Sequence, residues 1–597
     1  MRLNQKAKRP PQSPVGDSSP AKQGSLNTFV HQGVKTMSLN NFRYSTEKNT
    51  LKKEYLVPTR VVTQNGADNA DYLLSDTPRQ AVIGSKEGCI LKEGAYVVLD
   101  FGSELHGGVS ITTGKIEKSE KNPYGSGCTY GKLRLVFGES VSEAMSALGD
   151  GNGALNDHAF RDMVVDMSNL STQIFGSTGY RFLKIEAIDG DFTLSSVKAV
   201  FEYKDIEYKG SFTCSDERIN EIFNTAAYTV HLNMQDYIWD GIKRDRLVWI
   251  GDMHPEVSTI LSVFGDDESI RKSLDLCRDG FSLDNDTPWM IYPSYSGTWI
   301  TIHRDYYMKN GDMEYLLEQK EYLTGLVNLL CEKIHADGSV DFKGGYLFVD
   351  WSSANTPEME AGFRGSMVMA LNSAADIFEI FGDKDMKRKC LDTAENLKKI
   401  VPEYKGNKQV TAMCYLSGLI DEKTAEEILT ADLLSGLSTF YGYYVLLALS
   451  KMGRTKEALE IVRGYWGAML DLGATTFWED FDIDWCKNAA RIDETVPEGK
   501  IDVHTTYGKH CYQKLRHSLC HGWASGPVPF MMRHILGVEV LEAGCKRIKI
   551  SPCLCDLEWV KGTYPTPYGV IEVEHKNVDG KVVSTVKAPN GVEIVEG

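Results

Sequence analysis

The stretch Asp240-Gly-Ile-Lys-Arg-Asp-Arg-Leu-Val-Trp-Ile-Gly-Asp252 decides how the rest of the chain is read. It sets three carboxylates, Asp240, Asp245 and Asp252, among Lys243, Arg244 and Arg246, with Trp249 in their midst, between two helix-like runs. One reading is a surface loop laced by ion pairs, with Trp249 filling core, because ion-pair networks perturb titration without any function. The other is a sugar site. Carboxylates accept hydrogen bonds from hydroxyls, an aromatic face stacks on a pyranose, and one acid protonates the leaving oxygen. The neighbouring bases would let several carboxylates coexist by holding some of them ionised.

Outward from this stretch the hydrophobic period changes twice. Before it, Ala95-Tyr-Val-Val-Leu-Asp-Phe-Gly, Lys132-Leu-Arg-Leu-Val-Phe-Gly and Arg181-Phe-Leu-Lys-Ile-Glu-Ala-Ile alternate or run apolar between Gly-rich turns. Residues 37–210 therefore read as an N-terminal β-sandwich. Over 211–537 the period is helical. Ser215 is the expected first cap, Glu314 to Ile334 one long amphipathic run, and Asn310-Gly-Asp and Phe381-Gly-Asp short breaks. Helices joined by short links pack as antiparallel neighbours, in a toroid or a solenoid. Residues 538–597 return to strands, Arg547-Ile-Lys-Ile, Tyr568-Gly-Val-Ile-Glu-Val and Gly580-Lys-Val-Val, with a turn at Pro565-Thr-Pro-Tyr-Gly. Residues 1–36, rich in Lys, Pro, Ser and Gln, read as a disordered or artificially appended leader, with Met37 an alternative start.

The central stretch resembles the signature of the α-L-rhamnosidases, glycoside hydrolase family 78, a run ending in E-R-L-x-W-x-G-D. Arg246-Leu247, Trp249 and Gly251-Asp252 match in register, and Asp245 stands where the family usually has glutamate. A second run, Gly473-Ala-Thr-Thr-Phe-Trp-Glu-Asp, resembles the family block ending in W-E, and His517-Ser-Leu-Cys-His-Gly-Trp a third. Asp350-Trp351-Ser-Ser resembles a fourth, whose tryptophan stacks at the sugar. The resemblance implies an (α/α)6 toroid flanked by two β-sandwiches. It implies an inverting hydrolase that releases terminal α-linked L-rhamnose from a small glycoside or oligosaccharide. Asp245 would be the general acid and Glu479 the base, with Asp240, Arg244, Trp249, Asp252, Trp351, Trp478 and His521 holding the sugar. Trp289 and Trp299 are weaker candidates. An inverting pair needs ~6.5–9.5 Å between its carboxylates to admit a water. A same-fold hydrolase for another sugar and a non-catalytic sugar-binding relative stay open, since Asp245 is a methylene short.

The 597 residues require several cores, and 42% hydrophobic with 25% charged residues is ordinary globular composition. A net charge of -17 argues against nucleic acid or an anionic membrane as partner, while leaving neutral sugars and a homo-oligomer open. No run approaches the ~18 apolar residues of a membrane span, and the first residues lack a secretory core. Thirteen cysteines without a repeating spacing suit reduced thiols, so a cytoplasmic location is expected. Other readings are weaker. Glu479, Asp480, Asp482 and Asp484 could be a solvated or calcium-binding acidic loop. His510, Cys511, His517, Cys520 and His521 crowd together but lack paired zinc spacing. H-E-x-x-H, G-x-S-x-G and phosphate-loop motifs are absent, so no cofactor or metal is expected.

Overall fold

The computed structural model describes residues 50–117, 130–285, 288–343, 345–508 and 512–596. The leader expected at 1–36, Met37, and His510 and Cys511 of the zinc reading lie outside them.

The N-terminal domain is one antiparallel sheet of seven strands: β1 (Leu51–Leu56), β2 (Arg60–Asp68), β3 (Cys89–Glu117), β4 (Tyr130–Gly138), β5 (Asp162–Ser168), β6 (Thr172–Asp189) and β7 (Asp191–Lys204). They run in the order β1-β7-β3-β6-β4-β5, with β2 added on β3. The long β3 carries β2 on its first half and most of its β7 pairing on its second. Bulges separate the halves, and Leu91, Val97 and Leu99 from one share a core with Val109 and Ile111 from the other. The sheet thus doubles over itself into the two layers of a sandwich. At the bend only glycine fits position 107, where a Cβ would lie 1.9 Å from the Val200 carbonyl oxygen. A single turn, α1 (Val141–Met145), follows β4, capped by Ser140 accepting from the Glu143 N–H.

The strand β8 (Ser211–Cys214) belongs to neither the sandwich nor the helices. It pairs with the C-terminal sheet, so the helical region starts after it rather than at 211. The first helix, α2 (Glu217–Asn233), is capped by Asp216, not Ser215, whose hydroxyl accepts from the Glu558 N–H instead. Then come α3 (Met253–Val263), α4 (Glu268–Gly280), α5 (Pro293–Asn310), α6 (Met313–Glu318), α7 (Lys320–Glu332), α8 (Met359–Ile380), α9 (Lys384–Leu397), α10 (Lys408–Ser417), α11 (Glu422–Leu429), α12 (Gly442–Lys451), α13 (Thr455–Ile461), α14 (Gly467–Asp471), α15 (Val503–Thr506) and α16 (Pro527–Phe530). The long run expected from Glu314 is divided at the buried Gln319, which bonds Asp275 and Arg278.

Six of these helices close a ring: α3 packs on α5, α5 on α8, α8 on α10, α10 on α12, α12 on α16, and α16 on α3. The helices α2, α4, α7, α9, α11 and α13 pack outside it, which makes the (α/α)6 toroid. The breaks work by a stop-and-start device. Gly311 and Gly382 take positive φ at the end of one helix, and the next residues, Asp312 and Asp383, cap the following one through the Tyr315 and Met386 N–H groups.

The C-terminal domain has two small sheets. One is β9 (Val538–Val540), β10 (Arg547–Ile550) and β14 (Glu593–Glu596); the other is β11 (Trp559–Thr566), β12 (Gly569–Val578) and β13 (Lys581–Lys587) with β8 at its edge. Its buried residues are continuous with the core of the toroid, whereas the N-terminal sandwich keeps a separate core.

Candidate active site

The signature stretch forms the loop between α2 and α3. Its base is pinched by Asp240, whose N–H donates to the Leu247 carbonyl and whose carboxylate accepts the Leu247 N–H at 3.0 Å. At the tip, Asp245 and Arg246 both adopt left-handed backbone, φ 55° and 52°. Two consecutive residues without glycine's freedom there cost about 1–3 kcal/mol each, so the surroundings must hold them. The N-terminal domain does so. Arg246 donates to the carbonyls of Ser177 (3.0 Å) and His158 (2.9 Å), and Gly179 N–H donates to the Ile242 carbonyl at 2.8 Å. A Cβ at Gly179 would lie 2.8 Å from the Lys243 nitrogen, so the approach demands glycine.

Asp240, Asp245, Trp249, Asp252, Trp351, Glu479 and His521 line one cavity together with Tyr292, Tyr295, Tyr512 and Trp523. The signature loop, the N-terminus of α5, the turn after Asp350 and the segments at 479 and 521 thus meet, although they are far apart in sequence. At about 60 Å³ the cavity is well below the ~300 Å³ where drug-sized sites begin. A second, larger cavity of about 490 Å³ lies against the C-terminal domain, lined among others by His254, Asp305, Lys309 and Tyr564, and contains none of these residues.

Arg244 joins the two acids. One guanidinium nitrogen donates to Asp245 Oδ1 at 3.2 Å, the other to Glu479 Oε2, and Nε donates to the Arg516 carbonyl at 2.7 Å. Two carboxylates on one guanidinium lie no more than about 8 Å apart, two hydrogen bonds plus its width. The Tyr512 ring covers the guanidinium at 3.6 Å. Arg244 is therefore buried behind the carboxylates, not on the cavity wall where a sugar contact was expected. On its other side Asp245 Oδ1 lies 3.7 Å from His158 Nε2 of the N-terminal domain.

The carboxylates divide by environment. Burial opposes ionisation of Glu479, but Arg244, His521 and His517 outweigh it and hold its pKa far below the usual range. Ser518 N–H adds a hydrogen bond at 3.0 Å. Burial pushes Asp240 well above the ordinary value, Asp252 adds to this, and His521 offsets only part. Burial also raises Asp252 and Glu256. Neither Glu256 oxygen has a hydrogen-bond partner among the described residues, as suits a carboxyl kept neutral. Burial disfavours the His521 imidazolium, but Asp252, 3.4 Å away, with Glu479 and Asp240, raises it on balance. The site thus favours the ionised form at Glu479 and the protonated form at Asp240, Asp252 and Glu256. The buried Trp249 Nε1 and His521 Nδ1 have no partner among the described residues, and both are free to meet a hydroxyl.

Three expected residues fall elsewhere. Trp478 is fully buried against Phe481 and His517, so it fills core instead of walling the cavity. Trp289 and Trp299 are core too, and the Trp299 N–H donates to the Leu274 carbonyl. The aromatic wall comes instead from Tyr292 and Tyr295, which lie between those two tryptophans in sequence, and from Trp523, two residues past His521. Trp523 N–H donates to the Glu479 carbonyl at 3.0 Å and so ties the two blocks. Of the acidic loop, Asp482 caps its own turn through the Asp484 N–H. His517 Nε2 accepts from the Asp480 N–H at 2.9 Å.

Residues 207–407 match the bacterial α-L-rhamnosidase six-hairpin glycosidase domain, and residues 537–595 match the bacterial α-L-rhamnosidase C-terminal domain. An α-L-rhamnosidase of Formosa agariphila is 22% identical over 472 residues, 70% of this chain and 47% of that protein. The chain thus spans about half the length of the curated relative. The family 78 rhamnosidase of Bacillus sp. GL1 superposes with a TM-score of 0.70 at 21% identity, over 88% of this chain and 55% of that one. The Klebsiella oxytoca rhamnosidase with rhamnose bound gives 0.64 at 20%, over 81% and 96%. With both matches in chain order on the same architecture, the chain carries a six-hairpin domain and a C-terminal domain of the kind found in the bacterial α-L-rhamnosidases.

Proposed function

We propose that the protein is an inverting glycoside hydrolase that removes terminal α-linked L-rhamnose from small glycosides or oligosaccharides. Asp245 protonates the glycosidic oxygen, and Glu479, ionised by Arg244, activates a water on the opposite face of the sugar. Asp240, Asp252, Trp249, Trp351 and His521 hold the ring. The observation that carries this reading is the shared guanidinium, which sets two carboxylates on one cavity within about 8 Å, inside the upper bound of the inverting window. The Klebsiella oxytoca and Streptomyces avermitilis relatives, both described with rhamnose bound, support the choice of glycone.

The test is turnover of an aryl α-L-rhamnoside. Asp245→Asn and Glu479→Gln are each expected to lose ~10²–10⁴-fold in kcat while remaining folded. A variant that keeps near-normal turnover removes that residue from its role. A second reading, sugar binding without hydrolysis, draws on the short side chain of Asp245 held between Arg244 and His158. Calorimetric rhamnose binding with no product after prolonged incubation would select it, and hydrolysis of a different aryl glycoside would move the activity to another sugar.

The described cysteines are all free thiols, which supports a reducing, cytoplasmic location, and no helix among the described residues is long and apolar enough to cross a membrane.

A further inference from the structure

The segment 515–519 is gripped from two sides. From the signature loop, Lys243 Nζ donates to the Leu515 and His517 carbonyls, each at 2.8 Å, and Arg244 Nε to the Arg516 carbonyl. From the N-terminal domain, Glu139 accepts the Leu519 N–H at 2.6 Å and the Ser518 hydroxyl at 3.1 Å. Between these grips, Ser518 exchanges both backbone bonds with Glu479. Its N–H donates to the Glu479 carboxylate and its carbonyl accepts the Glu479 N–H, both at 3.0 Å.

Glu139 is itself buried at 1% exposure and fixed. Its N–H donates to Glu143 Oε2 at 2.9 Å, and Lys243 Nζ lies 3.2 Å from Glu139 and 2.9 Å from Glu143. Ligand atoms of Glu139, Glu143 and His504 lie close enough together to hold a cation, and the Lys243 ammonium pairs with both carboxylates there. A charge cluster this deep contributes little net stability, because desolvation offsets the attraction, so directional fixing of its neighbours is its effect.

We propose that Glu139 of the N-terminal sandwich is a positioning residue for Glu479, acting through the Ser518–Leu519 backbone, so that the accessory domain completes the catalytic centre. The proposal rests on the role given to Glu479 above. Hydrogen bonds from fixed donors favour the ionised carboxylate and aim it, and misplacement of a catalytic group by about 1 Å can cost ~10²-fold in rate.

The test uses the full chain with Glu139→Ala, which removes both acceptors, and Glu139→Gln, which retains an acceptor oxygen. For Glu139→Ala, kcat on an aryl rhamnoside should fall ~10–100-fold with KM within threefold. The acid limb of the pH–rate profile should move upward, since Glu479 loses the fixed Ser518 N–H that favours its ionised form, while Arg244, His517 and His521 still face it against Asp240, Asp245 and Asp252. Glu139→Gln should recover most of the loss. Amide hydrogen exchange should quicken over 515–519 and stay unchanged in β4 and β6. If Glu139→Ala does not fold, Glu139→Asp, a methylene short of the Leu519 N–H, takes its place. Unchanged exchange over 515–519, or unchanged kcat and acid limb with that segment loosened, overturns the proposal. If the wild type hydrolyses no glycoside, the reading of function falls instead, and exchange alone then decides whether Glu139 holds the segment.

Discussion

At the C-terminal junction Val560, Tyr564, Ile571 and Val573 lie in the same apolar cluster as the helices, and β8 lends the small sheet an edge strand. At the N-terminal junction the sandwich keeps its own core. It meets the toroid mainly through Lys243 against Glu139 and Glu143, Arg181 against the Gly473 carbonyl, and backbone bonds to Ile242 and Ile492, with one small apolar patch where Phe201 packs on Leu232, Ile242 and Cys520. Apolar burial is non-directional and stabilises in proportion to area. Buried ion pairs add little net stability but fix orientation. The C-terminal domain thus holds the toroid together, and the N-terminal domain holds its loops in register.

That contrast can be broken at graded points. The largest effect is expected at Arg244, where both sides of the site converge. Arg244→Met should lower kcat ~10²–10⁴-fold, because Asp245 and Glu479 lose their common partner, and steady-state kinetics on soluble protein checks it. Next is Lys243→Met, which strands two buried carboxylates and should cost ~3–5 kcal/mol in urea unfolding as well as activity. Adding Glu139→Gln and Glu143→Gln should return much of the stability but not the rate. Ile571→Ala at the apolar junction should cost ~2–5 kcal/mol, while the folded fraction turns over normally. A rate loss there equal to that of Lys243→Met would erase the distinction.

The smallest effect concerns Glu256, whose pKa burial raises. Below the unfolded value both states hold the proton. As pH rises through that value the unfolded chain ionises and the folded one does not, so stability is lost until the raised folded pKa is passed. Glu256→Gln removes this term. Its Tm should exceed that of the wild type by a few degrees at about pH 8, and the gap should close at about pH 4.

The sequence showed the helix boundaries where local chemistry writes them, as in the Gly311-Asp312 and Gly382-Asp383 pairs that end one helix and cap the next, whereas closure into a toroid was implied only by the family resemblance, because periodicity fits a solenoid equally. It also carried the signature loop, whose cavity-lining residues sit within thirteen positions. Trp478 misled because neighbouring side chains outside a helix diverge, and Glu479 takes the cavity while Trp478 takes the core. Arg244 was legible as a charge but not as a bridge, since its second partner lies 235 residues away. Glu139 and Glu143 stood out only within Phe137-Gly-Glu-Ser-Val-Ser-Glu-Ala, a phrase that resembles the family's N-terminal sandwich, and nothing local pointed to Ser518, 379 residues away, while Tyr292 and Tyr295 were overshadowed by their flanking tryptophans. The β8 strand was missed because its partner, β11, is some 350 positions further along.

The central claim is that Asp245 and Glu479 work across one sugar as acid and base with a water between them. Proton NMR of the first sugar released from an aryl α-L-rhamnoside, followed before mutarotation, tests it most directly. The account predicts β-L-rhamnose as the first-formed anomer, whereas α-L-rhamnose appearing first would contradict it.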